Sequence, residues 1–125
     1  MNQRQTILGG ALLGLLGVAV GAFGAHALKG LLAQNGRLDT YEIAVRYQFY
    51  HALALLMIGS FSEKFSSPSL RWASLLIFIG VLLFSGSLYA FALFNVTGSV
   101  MVTPLGGALM LIGWGLLAYA VFSKK

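Results

Sequence analysis

Two histidines are the side chains of this sequence best suited to chemistry, because imidazole can exchange protons or ligate a haem iron. His26 lies near the end of one apolar segment, and His51 lies inside another. No nucleophile stands beside a base, the chain has no cysteine, and two histidines without a third ligand make a poor zinc site. We therefore expect no catalytic residue, no metal site and no cofactor, with a haem between the histidines as a less favoured alternative. The other candidates for binding a ligand or partner are Tyr47, Gln48, Ser85, Ser87, Tyr89 and Thr103.

The elements that must position these residues are membrane-spanning helices. Of the 125 residues, 58% are hydrophobic and only 9% are charged, whereas soluble domains carry about 25% charged residues. Four apolar segments, at about 7–28, 41–61, 70–94 and 101–122, reach the roughly 20 residues that a helix needs to cross a bilayer. They are too long for barrel strands and lack alternation. The sequence predicts one all-α domain over residues 1–125, an integral membrane protein built as an antiparallel bundle of four transmembrane helices.

Several residues mark where these helices begin and end. Ser67 followed by Pro68 is typical of an N-cap with proline at the first helical position. Asp39 and Glu42 are spaced as in a capping box at the start of the second helix. Gly36 is placed to end a short interfacial turn, "LKGLLAQNG". The connections are therefore short, so neighbouring helices are expected to be antiparallel.

The basic residues predict the orientation in the membrane. By the positive-inside rule, the side with more lysine and arginine faces the cytoplasm. Both termini and the 62–69 connection are therefore expected in the cytoplasm of a bacterial inner membrane, in a multi-pass protein. An alternative is that "AHA" at 25–27 marks signal-peptide cleavage. The basic residues of the cytoplasmic side are Arg4, Lys64, Arg71, Lys124 and Lys125, and those of the opposite side are Lys29, Arg37 and Arg46. Their scatter gives no reason to expect a nucleic-acid partner.

Small residues along the first helix predict close helix packing. Gly10 with Gly14, and Gly17 with Gly21, form two GxxxG pairs that let a neighbouring backbone approach closely. Gly86 in the third helix and Gly106 in the fourth are expected to act in the same way. Packing within one bundle is the favoured interpretation, and a homo-oligomer contact or a lipid-filled groove are the alternatives.

The second helix carries two different polar faces at 100° per residue. Glu42 and Arg46 share one face at the i, i+4 spacing of a structural ion pair, and the arginine stem can reach the membrane surface. On the other side lie Tyr47, Gln48 and His51. His51 lies too deep in the membrane for its side chain to reach the surface. It is therefore expected either to belong to a site or to form an interhelical hydrogen bond.

Four motifs in order resemble the domain of unknown function 423 (UPF0382) family of small membrane proteins, which has relatives of the transmembrane-protein-256 type. They are "GAFGAHALKG" at 21–30, "YEIAVRYQFYHALALL" at 41–56, "FSGSLYAFAL" at 84–93 and "TPLGGALMLIGW" at 103–114. The resemblance implies a bacterial inner-membrane protein of about four helices and brings no catalytic role. The matching motif positions are Gly24, His26, Lys29, Tyr47, His51, Ser85, Gly86, Ser87, Tyr89, Thr103, Pro104 and Gly106.

The function expected from these observations is that of a non-enzymatic, compact helix bundle. Its polar residues gather in the outer leaflet, where they hold the structure or bind a lipid or partner. One alternative is a channel or transporter for small solutes acting as an oligomer, with polar residues along the path. A haem-linked redox subunit is the less favoured third possibility.

Overall fold

The computed structural model of the protein describes residues 1–124 and consists of helices joined by short connections. Five α-helices are present: α1 (Gln3–Ala25), α2 (Lys29–Asn35), α3 (Leu38–Phe61), α4 (Pro68–Phe94) and α5 (Thr103–Phe122). A 3-10 helix, Thr97–Met101, precedes α5. The described residues contain no β-strand, which confirms the all-α prediction.

Three of these helical segments are long and apolar enough to cross a membrane. They are Gln3–Ala25, Pro68–Phe94 and Thr97–Phe122, with mean hydropathies of 2.1, 2.2 and 1.9. Helix α3 is 24 residues long but is not among them, since its first half carries charged and polar residues. The fourth transmembrane span thus remains a prediction.

The helix ends follow the sequence signals at two places and depart from them at a third. The Ser67 hydroxyl accepts a hydrogen bond from the Leu70 amide and caps α4, and Gly36 ends α2 in the left-handed conformation with φ of 69°. The capping box predicted from Asp39 and Glu42 is absent. Helix α3 begins two residues too early for it, at Leu38, with Arg37 as the N-cap residue and no side-chain cap. Asp39 instead lies in the first turn, where a negative charge interacts favourably with the helix dipole.

Helix α3 packs against α1 and α4, α5 packs against α4, and α1 also contacts α4. No Cα atom of α1 lies within 8 Å of one in α5, so these two helices lie apart. Helices α1 and α3 run in opposite chain directions. Gly24 packs against Tyr41 and Gly59 against Ile7 at the two ends of the α1–α3 pair.

Glycines at a spacing of seven residues leave room on α1 for the backbone and the aromatic rings of α3. A Cβ on Gly10 would lie 2.8 Å from the Ala52 carbonyl, and one on Gly17 would lie 3.0 Å from the Phe49 ring. Gly24 continues this line, which matches the heptad spacing of left-handed helix pairs. Gly106 does the same for α5, since a Cβ there would lie 2.5 Å from the Phe84 backbone nitrogen.

The other three glycines proposed for packing have more space. A Cβ on Gly21 would meet Val45 at an ordinary 3.6 Å. Around Gly14 and Gly86, nothing lies within 4 Å of an added Cβ. Close contact on α1 therefore follows the spacing of seven rather than the spacing of four expected from the GxxxG pairs.

Candidate functional site

The inward face of α3 positions the candidate residues. Ala44 and Leu55 are fully buried, and Gln48 and His51 are 5% and 6% exposed. These four residues share the side of α3 that helical periodicity predicts. Polar side chains therefore point from the most polar long helix towards its apolar neighbours.

Gln48 joins three helices through two hydrogen bonds. Its amide nitrogen donates to the Leu13 carbonyl of α1 at 2.8 Å. Its amide oxygen accepts a hydrogen bond of 2.5 Å from the hydroxyl of Tyr89 in α4. One side chain of α3 thus holds α1 and α4 at a defined height.

His51 joins α3 to α5, and its partners define its tautomer. Nδ1 lies 2.7 Å from the Tyr47 carbonyl, which can only accept, so Nδ1 carries the proton. Nε2 then accepts a hydrogen bond of 3.1 Å from the indole Nε1–H of Trp114. The imidazole is therefore neutral with both nitrogens occupied, and it offers no lone pair to a haem iron or metal in this arrangement.

Serine hydroxyls connect α4 to α3 and to α5. Ser85 donates to the Ala44 carbonyl of α3 at 2.8 Å. Ser87 donates to the Phe84 carbonyl within its own helix at 2.8 Å. Since the Ser87 proton is used there, the 2.5 Å contact with Thr103 must have the threonine as donor. Both serines are buried, and both are satisfied within the chain.

His26 is not part of this cluster. It follows the last residue of α1 as an exposed C-cap. It lies near the level of Tyr41, because Gly24 packs against that residue, and Tyr41 precedes His51 by ten residues, roughly 15 Å of helix rise. The two histidines therefore lie at different heights along the helices.

The predicted ion pair lies on the outer surface of α3. Arg46 Nη2 is 3.5 Å from Glu42 Oε2, and both side chains are more than half exposed. Tyr47 is 39% exposed and stacks against His51 with ring centroids 6.1 Å apart. Tyr47 therefore covers the histidine from outside, whereas its backbone carbonyl anchors the ring.

Three further residues form interhelical contacts that the sequence did not predict. Trp114 supplies the partner of His51. The Tyr41 hydroxyl donates to the Val20 carbonyl of α1. Arg37 donates to the Phe91 carbonyl at 2.7 Å, with its guanidinium 3.6 Å from the centre of the Phe91 ring. A cation near the last turn of a helix is a known capping arrangement, but nothing in the sequence says that Arg37 would cap α4.

The cluster as a whole is internally satisfied. Within residues 1–124, every buried side-chain nitrogen or oxygen atom has a hydrogen-bond partner. The same residues contain no group of three or more His, Cys, Asp or Glu side chains arranged to hold a metal ion.

Comparisons with known proteins place the chain among membrane proteins of unknown function. The family model described as "Protein of unknown function (DUF423)" matches residues 20–107. A UPF0382 membrane protein of Staphylococcus aureus is 45% identical over 120 residues, covering 96% of this chain and 97% of that protein. UPF0382 membrane proteins of Staphylococcus haemolyticus and Staphylococcus saprophyticus are 43% and 41% identical over 120 residues, with 96% of this chain and 97% and 98% of theirs covered. No solved structure matches the chain.

Proposed function

Since the chain belongs to the DUF423 (UPF0382) family of membrane proteins of unknown function, we propose that it is a non-enzymatic bundle of four transmembrane helices. In this proposal α3 is the fourth span, and its polar side chains bind the three apolar helices together. The observation that carries it is the satisfaction of every buried polar side-chain atom within residues 1–124.

Helix α3 has the contacts of a central connector. Gln48 and Tyr41 bind backbone carbonyls of α1, Ser85 of α4 binds a carbonyl of α3, and Trp114 of α5 binds His51. Without a hydrophobic effect between helices in lipid, such hydrogen bonds and close packing drive association. A helix of modest hydropathy is stable across the membrane when its polar groups are satisfied by neighbours.

The proposed orientation has both termini and the 62–67 connection in the cytoplasm of a bacterial inner membrane. The polar cluster then extends from the outer leaflet to about the middle of the membrane, because His51 lies thirteen residues, roughly 20 Å, beyond the start of α3. The exposed apolar faces of α1 and α5 meet lipid or a second copy of the chain. Reporter fusions test this topology. A phosphatase reporter is expected to be active after residue 36 and after residue 98 and inactive after residue 65. Activity at 36 and 65 alike would show that α3 does not span the membrane.

Flux measurements test the non-catalytic, non-transporting role. Wild-type protein in liposomes is expected to conduct protons and potassium no faster than empty liposomes do. The His51→Ala variant is expected to lose stability without changing that baseline. Wild-type flux that disappears in a folded His51→Ala protein would overturn the proposal in favour of a channel or transporter.

A further inference from the structure

Three neighbouring cavities form a track that runs from the start of α1 and α4 into the membrane-spanning segments. The first, of about 580 Å³, lies between the first turns of these helices and the end of α3. The second, of about 390 Å³, shares Arg71 with the first. The third, of about 520 Å³, shares Leu75 with the second and lies between α1 and α4. Their sizes are in the range of ligand sites, about 300–1,000 Å³.

The first cavity has polar walls that are mostly occupied by internal hydrogen bonds. The Ser62 hydroxyl donates to the Gly59 carbonyl at 2.8 Å, the Gln3 amide donates to the same carbonyl at 3.0 Å, and Ser67 caps α4. Three charged groups line the cavity, and one of them, the Met1 ammonium, donates a hydrogen bond to the Arg71 carbonyl at 2.8 Å. Neither the Arg71 guanidinium nor the Glu63 carboxylate belongs to the single ion pair formed within residues 1–124.

The third cavity is apolar. Its walls include Leu8, Leu12, Phe78 and Ile79. A separate cavity of about 230 Å³, which shares no lining residue with it, lies further along α1 and α4. From Gln5 to Leu12 is seven residues, a rise of roughly 10 Å, and half of the hydrocarbon core is roughly 15 Å. The apolar part of the track therefore lies within one leaflet.

The order of polarity along this track is that of a phospholipid. We propose that the track binds one phospholipid with an amine-bearing headgroup from the leaflet in which α1 begins. Arg71 pairs with the phosphate, for which its planar fork of donors is suited, and Glu63 pairs with the headgroup ammonium. One acyl chain lies between α1 and α4. The proposal rests on the transmembrane arrangement proposed above, and Trp72, which is 58% exposed beside Arg71, supports a position at the membrane surface.

Quenching of Trp72 fluorescence tests the proposal with the full chain in detergent micelles. The probes are phosphatidylethanolamine and phosphatidylglycerol with brominated acyl chains. Trp114 is the only other tryptophan, so the Trp72→Phe protein gives the background to subtract. Phosphatidylethanolamine is expected to quench Trp72 at a lower mole fraction than phosphatidylglycerol does. Micelles have no sides, so this result does not depend on the orientation, which the reporter fusions test separately.

Matched variants assign the charges. Arg71→Gln is expected to raise the half-quenching fraction of both lipids about tenfold, consistent with loss of a charge-assisted contact. Arg4→Gln is the control, because Arg4 is exposed and lines none of the three cavities. Glu63→Gln is expected to weaken the binding of phosphatidylethanolamine several-fold. The binding of phosphatidylglycerol is expected to be no weaker than in the wild type. Glu42→Gln, on the outer surface of α3, is expected to change neither.

Four outcomes would overturn the proposal. Equal effects of Arg71→Gln and Arg4→Gln on lipid quenching would exclude a contact between Arg71 and the phosphate. An unchanged lipid preference in Glu63→Gln would exclude a contact between Glu63 and the headgroup amine. Displacement of the lipid by inorganic phosphate or glycerophosphoethanolamine as readily as by whole phospholipid would show a free phosphate site without a role for the groove. Absence of quenching by every lipid in a dimeric protein would assign the groove to a second copy.

Discussion

The Gln48–Tyr89 contact provides the sharpest test of α3 as the central connector. Gln48→Leu keeps the approximate size of the side chain and removes both interhelical hydrogen bonds, to the Leu13 carbonyl and to the Tyr89 hydroxyl. Interhelical hydrogen bonds in membrane proteins contribute about 0.6 kcal/mol on average and up to about 1.7 kcal/mol. Loss of two bonds is therefore expected to lower the free energy of unfolding by about 1–3 kcal/mol.

A double-mutant cycle separates this bond from other effects of the substitution. Tyr89→Phe removes the same bond from its other side, so the double variant is expected to lose less than the sum of the single variants. The expected difference, the coupling energy, is about 0.6–1.7 kcal/mol. Gln48→Leu combined with Ser87→Ala is the control cycle, because Ser87 bonds to Phe84 and Thr103 instead, and its effects are expected to add.

The measurement is reversible unfolding by SDS in mixed micelles, followed by circular dichroism. All variants must reach the helix content of the wild type before unfolding. A Gln48–Tyr89 coupling energy below about 0.3 kcal/mol, the level at which independent sites add, would refute the reasoning. It would mean that the bond between α3 and α4 contributes nothing to holding the helices in register.

Three further predictions follow from neighbouring contacts. Gly106→Ala is expected to cost about 1–3 kcal/mol through overpacking, because its Cβ would lie 2.5 Å from the Phe84 backbone. Gly107→Ala is the control, because its Cβ would find its nearest neighbour at 3.9 Å, and it is expected to be neutral or slightly stabilising in the same SDS assay. Equal losses of stability in Gly106→Ala and Gly107→Ala would contradict this α4–α5 packing. Arg37→Ala is expected to cost more than about 1 kcal/mol of stability, because a charged hydrogen bond is lost. Arg46→Ala removes one member of an exposed i, i+4 pair and should change stability by less than about 0.5 kcal/mol. A larger cost for Arg46→Ala than for Arg37→Ala would exclude the cap on α4. In ¹⁵N NMR spectra of labelled histidine, His51 is expected to show a protonated Nδ1, and Trp114→Phe should shift chiefly the Nε2 signal; a protonated Nε2 in the wild type would exclude the Trp114 contact.

The sequence was sufficient to predict features that depend on one helix at a time. Low charge content and long apolar segments predicted an all-α membrane protein, and helical periodicity predicted the side of α3 on which Gln48 and His51 are buried. Local signals at Ser67 and Gly36 predicted two helix ends. Each of these features follows from nearest neighbours along the chain and from the geometry of a single helix.

Only the tertiary structure decided how the helices stand relative to one another. The axial register between helices determines three features: the separation of His26 from His51, the indole of Trp114 as the partner of His51, and the capping of α4 by Arg37.

The glycines of α1 likewise could not be assigned to contacts from the sequence alone. Gly10 and Gly17 lie at the α1–α3 contact while Gly14 faces open space. A small residue every four positions and one every seven are both present in "GGALLGLLGVAVGAFG", and the crossing of the two helices selects between them, because packed backbones must stay in contact over several turns.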